Sequence, residues 1–128
     1  MARKVLMVDD DEGFLLAAGR LLESAGYEVM SACSAAEART RLEAELPDLI
    51  LLDVIMPGKD GFALADEIAK DKRLADIPVV LVTAVAESSG QMMQAFEQEK
   101  GLTASEILPK SAAHKELVRV VEAALTAK

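Results

Sequence analysis

Aromatic side chains are nearly missing from this chain of 128 residues, which holds one Tyr, three Phe and no Trp. Its core must therefore be assembled from Ala, Leu, Val, Ile and Met. Cysteine is almost as scarce. A single Cys33 excludes an intrachain disulfide and a cysteine-based metal cluster. The lone histidine, His114, is remote in sequence, so Cys33 has no nearby base and reads as an inert packed thiol. Positive charge is in deficit too: the net charge is −8. An acidic surface repels phosphate backbones, which argues against direct nucleic-acid binding. No apolar run approaches the ~18 residues that span a bilayer. The start, MARKVLMVDD, carries no signal-peptide pattern. The expectation is a cytoplasmic protein that does not enter a membrane.

What is present is a strong apolar periodicity. Hydrophobic residues make up 52% of the chain, which suits a globular protein with a core of its own. Five short apolar runs recur: Val5–Val8, Val29–Ala32, Leu49–Leu52, Val79–Val82 and the weaker Ile107–Leu108. They are continuous rather than alternating, as expected of parallel strands covered on both faces.

Amphipathic stretches separate the runs. Phe14, Ala18, Leu21, Leu22 and Ala25 form one face, with Asp11 as N-cap and Gly26 just past the end. Ser34-Ala35-Ala36-Glu37 is a capping box. It leads into a stripe of Ala35, Ala38, Leu42 and Leu46 that Pro47 closes. Phe62, Ala65, Ile68 and Ala69 mark a third helix, and Met92, Met93 and Phe96 a fourth. Leu117, Val120, Val121, Ala124 and Leu125 make the last and cleanest stripe. Strand–helix alternation of this kind predicts one domain over 1–128, an α/β protein with a doubly wound parallel sheet. Ligands bind such sheets outside the carboxyl ends of the strands, where strand order reverses.

The chemistry gathers at those ends. The first run closes in Asp9-Asp10-Asp11-Glu12 and the third in Asp53, which precedes the turn signal Met56-Pro57-Gly58. The fourth delivers Thr83 and the fifth Lys110. Each has an ordinary reading of its own. Acids at a helix start favour the macrodipole, which serves Asp11 and Glu12 well. Asp53 suits a turn, Thr83 a strand and Lys110 a surface. Together they describe a site for a divalent cation and a phosphoryl group. Mg²⁺ takes one or two carboxylates plus phosphate oxygens, and it relieves the repulsion among the acids. A carboxylate can then act as a nucleophile toward phosphorus.

With these motifs assembled, the chain resembles the receiver domains of two-component response regulators. The matching segments are VLMVDDDE, LILLDVIMPGKDGF, VVLVTA and ILPK. The resemblance implies a flavodoxin-like fold, a five-stranded parallel sheet in order 2-1-3-4-5 with helices on both faces. It implies that Asp53 is phosphorylated by a sensor histidine kinase or a histidine phosphotransfer protein. Asp10, Asp53 and the backbone carbonyl of Ile55 would ligate Mg²⁺, with Asp9 acting through a metal-bound water. Thr83 would meet one phosphoryl oxygen and report its arrival, and Lys110 would pair with another. The output would be a downstream protein effector or a fused output domain, and the only catalysis the chain's own phosphoryl transfer and self-dephosphorylation. Whether the receiver stands alone or forms part of a longer chain is left open.

The sequence departs from the family pattern in places. Ser111, not Pro, follows the lysine, which points to a trans peptide there. Ile107 replaces the usual aromatic of the switch. QEKGLTAS lengthens the stretch before the fifth strand. Ile55 and Val85 occupy the two positions beside the path of the hydrolytic water. The alternative within the family is a degenerate receiver that only binds proteins. A haloacid-dehalogenase-type phosphohydrolase would need an Asp where Ile55 stands, and a flavodoxin would need a phosphate-binding Gly/Ser/Thr loop after the first strand.

Overall fold

The computed structural model describes residues 3–53, 55–56, 59–83 and 106–126. Each apolar run becomes a strand: β1 (Lys4–Val8), β2 (Glu28–Ala32), β3 (Leu49–Asp53), β6 (Val79–Thr83) and β7 (Glu106–Pro109). They form one parallel sheet in order β2-β1-β3-β6-β7. This is the expected order 2-1-3-4-5. A short antiparallel pair, β4 (Ile55–Met56) and β5 (Lys59–Asp60), was not expected; chain direction reverses between Met56 and Lys59, at the sequence turn signal.

Strand parity sorts the core into two layers. Leu6, Val8, Ile50, Leu52 and Leu81 point to one face, where they meet Ala35, Ala38 and Leu42 of α2 (Ala35–Ala44) and Leu64 and Ile68 of α3 (Gly61–Lys70). Val5, Met7, Leu49, Leu51, Val80 and Val82 point to the other. There they meet Ala18 and Leu22 of α1 (Glu12–Ser24) and the stripe Leu117, Val120, Val121, Ala124 and Leu125 of α4 (Lys110–Thr126). Each fully buried side chain of this kind stabilises the fold by roughly 1.5–3 kcal/mol. Every buried hydrophobic residue described is aliphatic or Met. The covering on both faces explains the continuous runs: β1 and β3 are buried almost throughout, whereas the edge strand β2 is only half-buried.

The caps are built as the sequence suggests. Asp11 accepts the Phe14 amide at 3.1 Å and Ser34 accepts the Glu37 amide at 3.1 Å, each worth roughly 0.5–2 kcal/mol. Glu37 reaches back one residue further than a standard box, accepting the Cys33 amide at 3.1 Å. Just past the C-cap of helix α1, Gly26 has φ of 98°, a left-handed conformation that a Cβ would strain. Around it Gly26 N–H donates to Glu23 C=O and Tyr27 N–H to Leu22 C=O, both at 3.0 Å, the paired bonds of a Schellman end.

Four packing expectations are corrected. Ala25 is exposed because α1 has already ended there, and Ala25 serves as its C-cap. Leu46 is 47% exposed because α2 stops at Ala44, before the stripe reaches it. Ala69 faces solvent, and Leu64 takes the buried place in α3. Cys33 is exposed, so the reading of it as a packed thiol is wrong. The helix read from Met92, Met93 and Phe96, and the segment QEKGLTAS up to Ser105, lie outside the described residues.

Candidate functional site

The strand registers alone bring the sequence-predicted residues to one rim. Val8 pairs with Leu52, so Asp9 and Asp53 are the next residues on neighbouring strands. Asp53 pairs with Val82, which puts Thr83 one step beyond it. Thr83 pairs with Pro109, and Lys110 follows as the first residue of α4. Adjacent strands lie about 4.8 Å apart, so these four backbone positions descend the carboxyl edge of the sheet in a short staircase. No cis peptide occurs among the described residues, and Lys110 and Ser111 both belong to α4. The loop has the trans form that Ser111 suggests.

The four consecutive acids are divided by the fold. Asp9 is only 2% exposed and Asp53 3%, while Asp10 is exposed at the mouth of the site. One carboxylate oxygen from each of these three lies within 4.8 Å of the others. Asp11 faces the other way, its carboxylate turned onto the first turn of α1. Glu12 begins the helix itself. Capping and clustering are thus both correct readings, each for two of the four residues.

Asp9 is held at both ends. Its amide donates to the Ala32 carbonyl at 3.0 Å, which extends the β1–β2 ladder by one residue. Its Oδ1 accepts the Asp11 amide at 2.9 Å. That second bond escaped the sequence reading, although an Asp two residues before another polar residue is a recognisable turn signal.

Three carboxylates so close, two of them removed from water, repel one another. A divalent cation offsets that repulsion, and an all-oxygen donor set suits a hard ion such as Mg²⁺. The residues present therefore fit a metal, and the described residues hold this one cluster able to take it. Ile55 lies in β4 and Ile107 in β7, where it pairs with Leu81, while Val85 falls outside the described residues.

A family profile for the response regulator receiver domain matches residues 5–122. The response regulator PleD of Caulobacter vibrioides is 38% identical over 97 residues, which are 76% of this chain and 21% of PleD. Among solved structures, a response regulator of Chloroflexus aurantiacus superposes with a TM-score of 0.85 at 31% identity, covering 98% of this chain and 99% of that one. The Thermotoga maritima response regulator TrrA, solved in complex with Mg²⁺-BeF, superposes with a TM-score of 0.78 at 29% identity over 94% of this chain and 97% of its own. The chain spans between about a fifth and about half the length of the curated relatives it matches.

Proposed function

The chain belongs to the response regulator receiver domains, and from that premise we propose that it accepts a phosphoryl group on Asp53 with the help of Mg²⁺. One observation carries this reading: Asp53 is a buried carboxylate at the end of the central strand, clustered with Asp9 and Asp10. A nucleophile there is shielded from bulk water yet opens on the rim where strands end.

Asp10, Asp53 and the Ile55 carbonyl would hold the ion directly, and Asp9 through a water. The chemistry supplied by bound Mg²⁺ is charge neutralisation between the carboxylates and the phosphoryl oxygens. An Asp53 oxygen bonds to phosphorus as the P–N bond of a donor phosphohistidine breaks. The departing imidazole keeps the electron pair and takes up a proton. Lys110 pairs with one phosphoryl oxygen and Thr83 contacts another, and the movement of Thr83 carries the signal toward the surface. The donor is a sensor histidine kinase or a histidine phosphotransfer protein, and the recipient is a protein effector or a fused output domain. The family match over most of the chain supports a single receiver domain over 1–128. Among the described residues no helix is long and apolar enough to cross a membrane.

Incubation with acetyl phosphate and Mg²⁺, followed by mass spectrometry, tests the proposal. One phosphoryl group should add, map to Asp53, and fail to add in Asp53→Asn or in excess EDTA. Equal labelling of Asp53→Asn would overturn it, and so would a wild type that stays unmodified. The second outcome is what a degenerate receiver would give.

A further inference from the structure

Helix α1 begins at the carboxylate cluster, and one residue joins the two. The Asp11 amide donates to Asp9 Oδ1 at 2.9 Å, while the Asp11 side chain accepts the Phe14 amide at 3.1 Å. The first bond aims a clustered carboxylate. The second fixes the backbone that does the aiming, because an N-cap with extended φ and ψ of −89° and 99° is pinned to the helix by its own side chain. The Asp11 carbonyl also accepts the Leu15 amide at 3.0 Å, so the peptide next to that amide is tied at a further point.

We infer that Asp11 is a positioning residue for the cation site: its capping bond, not its charge, keeps Asp9 oriented toward Asp10 and Asp53. The inference rests on the Mg²⁺ reading of the cluster and adds a residue to it. Groups one step behind the direct ligands typically contribute 10–100-fold in affinity, and Asp9, which would act through a metal-bound water, is such a group; losing its orientation should cost the low end of that range. Space is part of the device. A Cβ placed on Gly13 would sit 3.3 Å from Asp11 Oδ1, tighter than ordinary contact, so a side chain there presses on the capping carboxylate.

Three outcomes follow from separating the cap from its charge. Asp11→Ala keeps the backbone amide but loses the cap. Asp11→Ser keeps a capping oxygen and loses the charge. Ser34→Ala removes the corresponding cap of α2, an element that carries no acid of the cluster, and controls for a loss of helix stability alone. Mg²⁺ affinity is measured by NMR titration of the unphosphorylated protein, with Tm recorded for each variant. Asp11→Ala should bind Mg²⁺ roughly tenfold more weakly. Asp11→Ser should stay within about twofold of wild type, and Ser34→Ala should lower Tm without touching affinity. Equal weakening in Asp11→Ala and Asp11→Ser would overturn the inference in favour of a charge effect. Unchanged affinity in Asp11→Ala would overturn it outright while leaving the Mg²⁺ site standing. A wild type that binds no Mg²⁺ defeats both the inference and the reading beneath it.

Discussion

Asp9 and Asp10 are neighbours in sequence with opposite surroundings, one buried and one open to solvent. An exposed ligand at the mouth of a site can be changed without leaving a hole in the core. Asp10→Asn should therefore keep the fold and its Tm, weaken Mg²⁺ binding and nearly abolish labelling by acetyl phosphate. An unchanged Mg²⁺ titration in that variant would remove Asp10 from the ligand set. Under the proposed function, Ile55 and Val85 would bear on a later event, hydrolysis of the phosphoryl group. Ile55 and Val85 are apolar and β-branched, so neither can orient a water for attack on phosphorus. Positioning supplies much of the catalysis in phosphoryl transfer. The phosphoryl half-life of wild type should exceed that of the double variant Ile55→Asn with Val85→Glu by about 10-fold, or about 1.4 kcal/mol of barrier. A double variant that keeps its phosphoryl group as long as wild type would defeat this argument. At this scale the sequence was a good guide to residue type and a poor one to direction. It assigned Asp11 and Glu12 to the helix start and Asp9 and Asp10 to the strand-end cluster, but gave no sign that Asp9 would be buried and Asp10 exposed.

Among the elements, the ends of α1 govern more than the helix itself. Its Schellman end delivers Tyr27 against α4, where burial and then Glu122 raise the phenol above its ordinary pKa of 10.0, with Arg3 opposing them. A raised folded-state value means the neutral phenol is favoured in the native protein. Stability from this group is present below the unfolded pKa and lost as pH rises through the folded one. Tyr27 is the chain's single tyrosine, so phenolate absorbance reports it without ambiguity. The folded protein should titrate above 10 and the denatured protein near it. Glu122→Gln should close part of that gap; coincident folded and denatured curves would contradict the assignment. On the opposite face Arg39 bridges α2 to α3 through two bonds to Glu67, at 2.6 and 2.7 Å. That pairing raises the guanidinium pKa. Both side chains are exposed, so the bridge contributes little to stability. The capping box and Gly26 were legible locally, because caps are made within a few residues. Leu46 was misplaced because a stripe does not reveal where its helix stops.

For the molecule as a whole, the sheet order bears on the route of the proposed signal. The central strand β3 carries Asp53, and β6 and β7 lie beyond it on one side, with Thr83 paired to Pro109 just before Lys110. With Ile107 in place of an aromatic ring, the expected route runs through the connection from Thr83 to β7. Hydrogen exchange with and without a phosphoryl mimic should change most between Ala84 and Ser111. A main change in α1 would refute that route. The sequence by itself determined the alternation of strands and helices, the aliphatic core, the caps, and the five residue types at the strand ends. These are local patterns, set by period, propensity and turn chemistry within a dozen residues. Tertiary structure alone decided the register that lines up Asp9, Asp53, Thr83 and Lys110, the half-buried state of β2 and the exposure of Cys33. Those depend on which strand lies at an edge and which helix covers it, and contacts between residues distant in the chain leave no trace in a local pattern.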